Sequence, residues 1–144
     1  MAGPPQARMD VDAFLAWSAT VPGRHELVDG EVFARAPERA RHARVRFAVQ
    51  SALDRGLRAL GSSCEMLPDG VTVRIDARTA SEPDALVDCG PRMDPDAVEA
   101  PPPVIVARCC RREPGRSMRG RSSRATSCCR ASCILCWSIR GAPA

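Results

Sequence analysis

The sequence predicts one α+β domain followed by a tail of different composition. Two segments keep their apolar residues at helical spacing, and an Asp-Gly turn between them divides two short apolar runs. Further short apolar runs follow the second helical segment. This order of helices and strands is typical of the α+β class. A chain of 144 residues suits one domain with a modest core.

The first helix is expected over residues 10–19. Val11 and Phe14 lie at helical spacing after Asp10, a residue type that caps helix N-termini, and a Pro-Gly pair ends the segment. The preceding residues 1–9 are rich in proline and glycine, so we expect them to be disordered.

A tight β-hairpin is expected next. Residues 25–28 and 31–34 are short apolar-polar runs that flank Asp29-Gly30. This dipeptide supplies the two positive φ angles of a type I′ turn.

The long helix of the domain is expected over residues 38–60, before Gly61. Its apolar residues keep helical periodicity, and arginines lie between them. The apolar residues are Val45, Val49, Ala52, Leu53, Leu57 and Leu60.

Short strands complete the domain. Residues 64–67 and 71–75 flank a Pro-Asp-Gly turn, which predicts that these two strands pair with each other. Residues 85–87 and 104–106 are two further apolar strands, and the domain is expected to end at residue 106.

The tail, residues 107–144, differs in charge and cysteine content. Residues 1–103 carry 12 Arg and 16 acidic residues, whereas residues 104–144 carry 9 Arg and only Glu113. Six of the eight cysteines lie after residue 106, and no apolar period is sustained there. Such a composition buries little apolar surface, so the tail is expected to be disordered.

Features that the sequence lacks limit the expected location and chemistry of the protein. The first residues do not resemble an export signal, and no apolar run reaches the roughly 18 residues that a membrane helix needs. We therefore expect a cytoplasmic protein without membrane contact, whose cysteines are not presumed to form disulfides. The chain contains no lysine, which excludes mechanisms that use a lysine of this chain.

Four short segments, in this order and spacing, resemble the Uma-two family of restriction endonucleases. They are residues 14–17 (Phe-Leu-Ala-Trp), 25–32 (His-Glu-Leu-Val-Asp-Gly-Glu-Val), 41–45 (Arg-His-Ala-Arg-Val) and 82–87 (Glu-Pro-Asp-Ala-Leu-Val). The resemblance covers residues 10–106 and implies a nuclease core of the PD-(D/E)XK type with a mixed sheet, in the α+β class. Here that core would be incomplete.

The resemblance implies roles for individual residues. Asp84 matches the aspartate of the family's Pro-Asp pair, which makes it the expected catalytic carboxylate that holds Mg²⁺ for phosphodiester hydrolysis. Glu26 is the expected accessory catalytic acid. The alternatives are a turn residue for Asp84 and a solvated hairpin edge for Glu26 and Glu31.

The family resemblance also implies DNA as the partner and allows a homo-oligomer. His42 matches a family histidine near the start of the long helix, where it would contact phosphate or a carboxylate. Arg41 beside it would neutralise DNA phosphates. The alternative is that both belong to a solvated helix face.

The chain departs from the family after residue 106. The family continues with Glu-Val-Leu-Ser-Pro-Ser, whose glutamate is the second metal ligand, and then with a lysine; this chain has Ala-Arg-Cys-Cys-Arg-Arg. If these six residues are written in GC-rich codons, dropping two bases yields Glu-Val-Leu-Ser-Pro. The same offset in residues 116–123 restores a lysine. We therefore interpret the tail as out of frame after a frameshift near codon 107, and the polypeptide as inactive.

The alternative is a nucleic-acid-binding protein with a zinc-binding tail. Cys133 and Cys136 have the spacing of a zinc knuckle. The ligand set could be completed by four other cysteines of the tail: Cys109, Cys110, Cys128 and Cys129. The basic charge of the tail would attract nucleic acid.

Overall fold

The computed structural model describes residues 7–109 and the backbone of residues 134–137. In this part of the chain, two helices and eight strands form an α+β fold, as the sequence predicts, and the arrangement is consistent with a restriction-endonuclease-like core. In chain order the elements are α1 (Val11–Ser18), β1 (His25–Val28), β2 (Glu31–Ala34), α2 (Ala40–Ala59), β3 (Glu65–Pro68), β4 (Val73–Asp76), β5 (Thr79–Ser81), β6 (Ala85–Asp88), β7 (Ile105–Cys109) and β8 (Ile134–Trp137).

The first helix and the hairpin form where the sequence predicts them. The Asp10 carboxylate accepts a hydrogen bond from the Ala13 backbone N–H at 2.8 Å, which caps α1. Asp29 has φ 49° and Gly30 has φ 81°, so the turn between β1 and β2 has the two positive φ angles expected of it.

The long helix α2 is also confirmed, but its apolar face is only partly covered. No residue of α2 is buried by the described part of the chain. Phe47 is 70% exposed, and Leu60, just beyond the helix, is 82% exposed. Neither α1 nor α2 combines the length and the apolar character needed to span a lipid bilayer.

The strands form two four-stranded sheets. The first sheet has the order β2-β1-β5-β4, and the second has the order β3-β6-β7-β8. All pairs of named strands in the described residues are antiparallel, and parallel pairing occurs only at an isolated bridge between Thr72 and Glu99.

The predicted pairing of the two strands around Pro68-Asp69-Gly70 is wrong. β3 pairs with β6 and β4 pairs with β5, so this turn carries the chain from one sheet to the other. The turn does not close a hairpin, and arginines from elsewhere in the fold bind the Asp69 carboxylate within it. β5, which the sequence analysis missed, pairs with β4 across a tight turn in which Asp76 accepts from the Arg78 N–H at 2.7 Å.

Both ends of the predicted domain extend further than expected. The Met9 N–H donates to the Gly30 carbonyl at 2.9 Å, so the segment expected to be disordered is attached to the hairpin at this point. β7 continues to Cys109, and β8 pairs with it in antiparallel register, Ala107 opposite Cys136. The prediction of a disordered tail otherwise concerns residues outside the described part.

The described residues form two small apolar cores. In the core of the first sheet, Met9, Leu15, Trp17 and Val32 pack around the buried residues Val11, Phe14, Leu27 and Ala80. The second core joins the two sheets, because it combines Val73 from β4 of the first sheet with Leu86 from β6 of the second and with Ala100. Leu67, Val71 and Met93 pack against it.

A disulfide joins Cys64, before β3, to Cys89, after β6. Such a bond is not among the expectations from the sequence. It joins the start of β3 to the end of β6, which lie side by side in the second sheet.

Candidate metal centre

Asp84 lies immediately before β6 and is 2% exposed. Its Oδ2 accepts a hydrogen bond from the Cys109 backbone N–H at 2.6 Å, and its own N–H donates to the Ala107 carbonyl at 2.9 Å. The Gln50 side chain of α2 donates to the Asp84 carbonyl at 2.7 Å. β7 and α2 together therefore hold this carboxylate in place.

The second oxygen of that carboxylate, Oδ1, is buried without a hydrogen-bond partner among the described residues. Buried polar atoms are normally paired, because an unpaired one loses its hydration without replacement. Such an atom therefore calls for an explanation, and an ion bound at the site is one.

His42, in the first turn of α2, is oriented from both sides of its ring. Nδ1 faces the Glu38 carboxylate four residues earlier, and Nε2 faces the Cys109 carbonyl at 2.9 Å. Its side chain is 11% exposed. The histidine therefore connects the start of α2 to the end of β7.

Cys109, the last residue of β7, is a buried free cysteine. Burial is the main cause that raises the pKa of its thiol to about 11, and the negative charges of Asp84 and Glu38 contribute. The thiol therefore carries its proton at neutral pH in the absence of a cation.

Three potential ligand atoms lie within 4.8 Å of one another, one each from His42, Asp84 and Cys109. The described residues thus contain a nitrogen, an oxygen and a sulfur donor that can converge on one metal ion. This set does not fit Mg²⁺ well, because that ion prefers near-octahedral coordination by oxygen.

Arginine–carboxylate pairs connect Glu38, which orients His42, to the turn between β3 and β4. Arg46 of α2 bonds Glu38 at 2.8 Å and Asp69 at 2.7 Å. Arg24 pairs with both Asp69 and Glu82. Glu38, which orients His42, is thereby connected to the turn after β3.

These pairs shift the ionisation of their members. Burial is the largest single influence on Asp69 and opposes its charge, but the hydrogen bond from Arg24 and the charges of Arg24, Arg46 and Arg35 together lower its pKa. The hydrogen bond to Asp69 is the main cause that raises the pKa of Arg24, against the effect of burial. Both shifts favour the charged forms of Asp69 and Arg24.

Glu26 and Arg41, the other site residues expected from the sequence, lie outside this three-residue cluster. Glu26, on β1, accepts hydrogen bonds from Arg108 Nη2 at 2.9 and 3.1 Å. Arg41 is exposed on α2 and has no ion-pair partner among the described residues. The structure brings together His42 and Asp84 and joins Glu26 to β7 through Arg108.

The sequence did not indicate Glu38 as a site residue, and it indicated Cys109 only as a possible ligand of a zinc-binding tail, not as a neighbour of Asp84. Glu38 could have been found, because it precedes His42 by four residues and such pairs face each other on a helix. Cys109 had no comparable signal, because its position beside Asp84 depends on the register of β7.

The family comparison agrees with the resemblance in the sequence. The Uma2 (Uma-two) family, described as "Putative restriction endonuclease", matches residues 11–107, about two thirds of the chain. No curated protein and no solved structure matches the chain. The matched segment contains both helices and β1 to β6 and ends within β7, two residues before Cys109. The chain therefore belongs to the Uma-two family of restriction endonucleases.

Proposed function

We propose that this chain descends from a metal-dependent endonuclease that hydrolyses phosphodiester bonds of DNA. The observation that supports this is Asp84, a buried carboxylate one of whose oxygens has no partner within residues 7–109. It stands where the family resemblance expects the first metal ligand. In such enzymes Mg²⁺ activates a bound water and stabilises charge on the phosphate.

We further propose that the polypeptide as written cleaves DNA weakly or not at all. Asp84 is the only carboxylate in the three-residue cluster, and its companions there are an imidazole and a thiol. A hard cation held by one protein oxygen is held weakly. The chain also lacks the lysine of the family pattern.

The register of β6 and β7 supports this proposal. Ala85 lies opposite Ala107, and the next step along the ladder brings position 108 opposite Asp84. Position 108 is an arginine, and its guanidinium binds Glu26. The proposed accessory acid is therefore neutralised by a cation of the protein itself.

A frameshift near codon 107 explains these features with one cause. Restoring one base upstream of the Glu-Val-Leu-Ser codons gives glutamate at position 108. It would then lie across the ladder from Asp84, where two carboxylates could share one cation, and Glu26 would lose its arginine partner. The sequence departs from the family pattern close to residue 107, where the family match ends.

Arg41, together with His42, remains the proposed DNA contact of the ancestral enzyme. Arg41 is exposed and unpaired among the described residues, so its charge is available to a phosphate. His42 has both ring nitrogens engaged, so it would act on DNA only after giving up a bond to Glu38 or Cys109. A cytoplasmic location and a homo-oligomeric state also remain proposals.

Plasmid cleavage tests the proposal on the full chain. Supercoiled DNA is incubated with the protein and Mg²⁺, beside the variant Asp84→Asn and a control without metal. We expect no difference between the chain and its variant. Mg²⁺-dependent cleavage that disappears in Asp84→Asn would contradict the loss of function.

The coding DNA around codons 105–125 tests the frameshift separately. We expect that one restored base opens a continuous frame containing Glu-x-Leu-Ser and then a lysine. Stop codons within a few triplets in the other frames would overturn this part of the proposal.

The zinc-binding tail is not favoured by any described contact. Most of its cysteines lie outside the described residues, and Cys136 is described only through its backbone in β8.

A further inference from the structure

We infer that His42, Asp84 and Cys109 form a site for a borderline transition-metal cation of the zinc class. The inference does not depend on whether the chain ever cleaved DNA, because it rests on the side chains that are present. It differs from the zinc-binding tail as well, since two of its three ligands belong to the folded domain before residue 106.

The distances fit one ion. The three ligand atoms lie within 4.8 Å of one another. Zinc bonds of about 2.0 to 2.3 Å hold neighbouring ligand atoms roughly 3.5 Å apart in a tetrahedron. Small side-chain rotations would therefore bring the three atoms onto one cation.

A second, independent observation indicates a ligand at this place. Asp84 is 2% exposed, and its Oδ1 has no hydrogen-bond partner among the described residues. A cation would satisfy this oxygen and would offset the cost of burying a carboxylate. Oδ2 would keep its hydrogen bond from the Cys109 N–H.

The donor set selects the class of metal. Zinc accepts nitrogen, sulfur and oxygen ligands in tetrahedral geometry, whereas Mg²⁺ and Ca²⁺ prefer oxygen alone. Three protein ligands leave the fourth position for water, as in zinc sites that are open to solvent or substrate.

Glu38 supplies the support that metal-bound histidines usually have. It bonds His42 at Nδ1, which leaves Nε2 as the metal-binding nitrogen. Binding would replace the present contact between Nε2 and the Cys109 carbonyl. Arg46 holds Glu38 at 2.8 Å and so limits its movement.

Cobalt titration of the full-length chain tests the site, because Co²⁺ bound by a thiolate gives a sulfur-to-metal charge-transfer band in the near ultraviolet. The background chain carries serine at all tail cysteines except Cys109, and the Cys64–Cys89 disulfide is left intact. The substituted positions are 110, 128, 129, 133 and 136. We expect one equivalent of Co²⁺, the band, and displacement of Co²⁺ by added Zn²⁺, with no effect of excess Mg²⁺.

Three further variants in the same background separate the ligands from their support. Cys109→Ser should abolish the band, and Asp84→Asn should weaken binding while circular dichroism shows that the fold is retained. Glu38→Gln should weaken binding by roughly tenfold, as expected for a residue that positions a ligand. The control Arg55→Gln, at an exposed position of α2, should leave binding unchanged.

Either of two results would overturn the inference. One is the absence of a cobalt band in the folded background chain. The other is a band that persists in Cys109→Ser or is unaffected by Asp84→Asn. Neither result bears on DNA cleavage, so this inference and the proposed function can fail separately.

Discussion

The two sheets treat their buried polar groups differently. In the first sheet, the described residues bury Ser81 and an unpartnered Nδ1 of His25 but no carboxylate, and the charged Arg74 of β4 pairs with Asp12 and Glu99 at the surface. In the second sheet, β6 is flanked by Asp84 and ends at Asp88, both 2% exposed and each with an oxygen that lacks a partner among the described residues. Unsatisfied buried carboxylates reduce stability, so each one calls for an explanation, and for Asp84 the proposed cation supplies it. The comparison separates a sheet that stabilises the fold from a sheet that carries its chemistry.

The largest expected effect lies in the core of the first sheet. Phe14→Ala should lower the free energy of unfolding by about 3–5 kcal/mol, because it removes a large side chain from a site that is 2% exposed. Urea denaturation followed by circular dichroism measures the change. The matched control is Phe47→Ala on α2, where the ring is 70% exposed and the expected loss is about 0.5 kcal/mol. Equal losses in the two variants would show that the first core does not carry the stability.

A smaller effect of opposite sign is expected in the second sheet. Without added metal, Asp84→Asn should raise the free energy of unfolding by about 1–2 kcal/mol, because it removes a buried charge and keeps an acceptor for the Cys109 N–H. Thermal unfolding in a chelating buffer measures it. The control Asp76→Asn changes an exposed carboxylate of β4 and should have little effect. A loss of stability in Asp84→Asn would contradict the interpretation of this residue as functional.

The smallest effect is a change in acid sensitivity at the turn between the sheets. The pKa of Asp69 is lowered, so its ionised form stabilises the fold above the unfolded pKa of about 4, and this contribution is lost as the pH falls further. Asp69→Asn should therefore flatten the dependence of the urea midpoint on pH below about pH 4. The control is Asp96→Asn, at an exposed position after β6 for which the described residues show no ion pair. Identical acid limbs in Asp69→Asn and the unsubstituted chain would remove Asp69 from the network.

The sequence predicted those helix ends and turns that depend on a few neighbouring residues. The cap at Asp10, the type I′ turn at Asp29-Gly30 and the end of α2 before Gly61 each depend on a few neighbouring residues. They could be predicted because the residue types at these positions have strong backbone preferences.

Long-range pairing could not be predicted in the same way. Pro68-Asp69-Gly70 has the composition of a hairpin turn, but β3 pairs with β6 and β4 pairs with β5. Arginines more than 20 residues away in sequence bind Asp69. The metal centre likewise depends on register, since Cys109 reaches His42 and Asp84 only through the pairing of β7 with β6. Asp84 and His42 were found because the resemblance carried them, and Cys109 lies beyond the matched residues.

Metal titration of the chain with and without the restored base tests the central claim most directly. The claim is that a change after residue 106 replaced an oxygen site for Mg²⁺ by the His42, Asp84 and Cys109 centre. Calorimetry with Mg²⁺ and with Zn²⁺ on both full-length proteins measures the exchange, and Asp84→Asn in each is the control. We expect the restored chain to bind Mg²⁺ through Asp84, and the chain as written to bind Zn²⁺ but not Mg²⁺. If restoration leaves Mg²⁺ binding unchanged, the account of the second sheet is wrong.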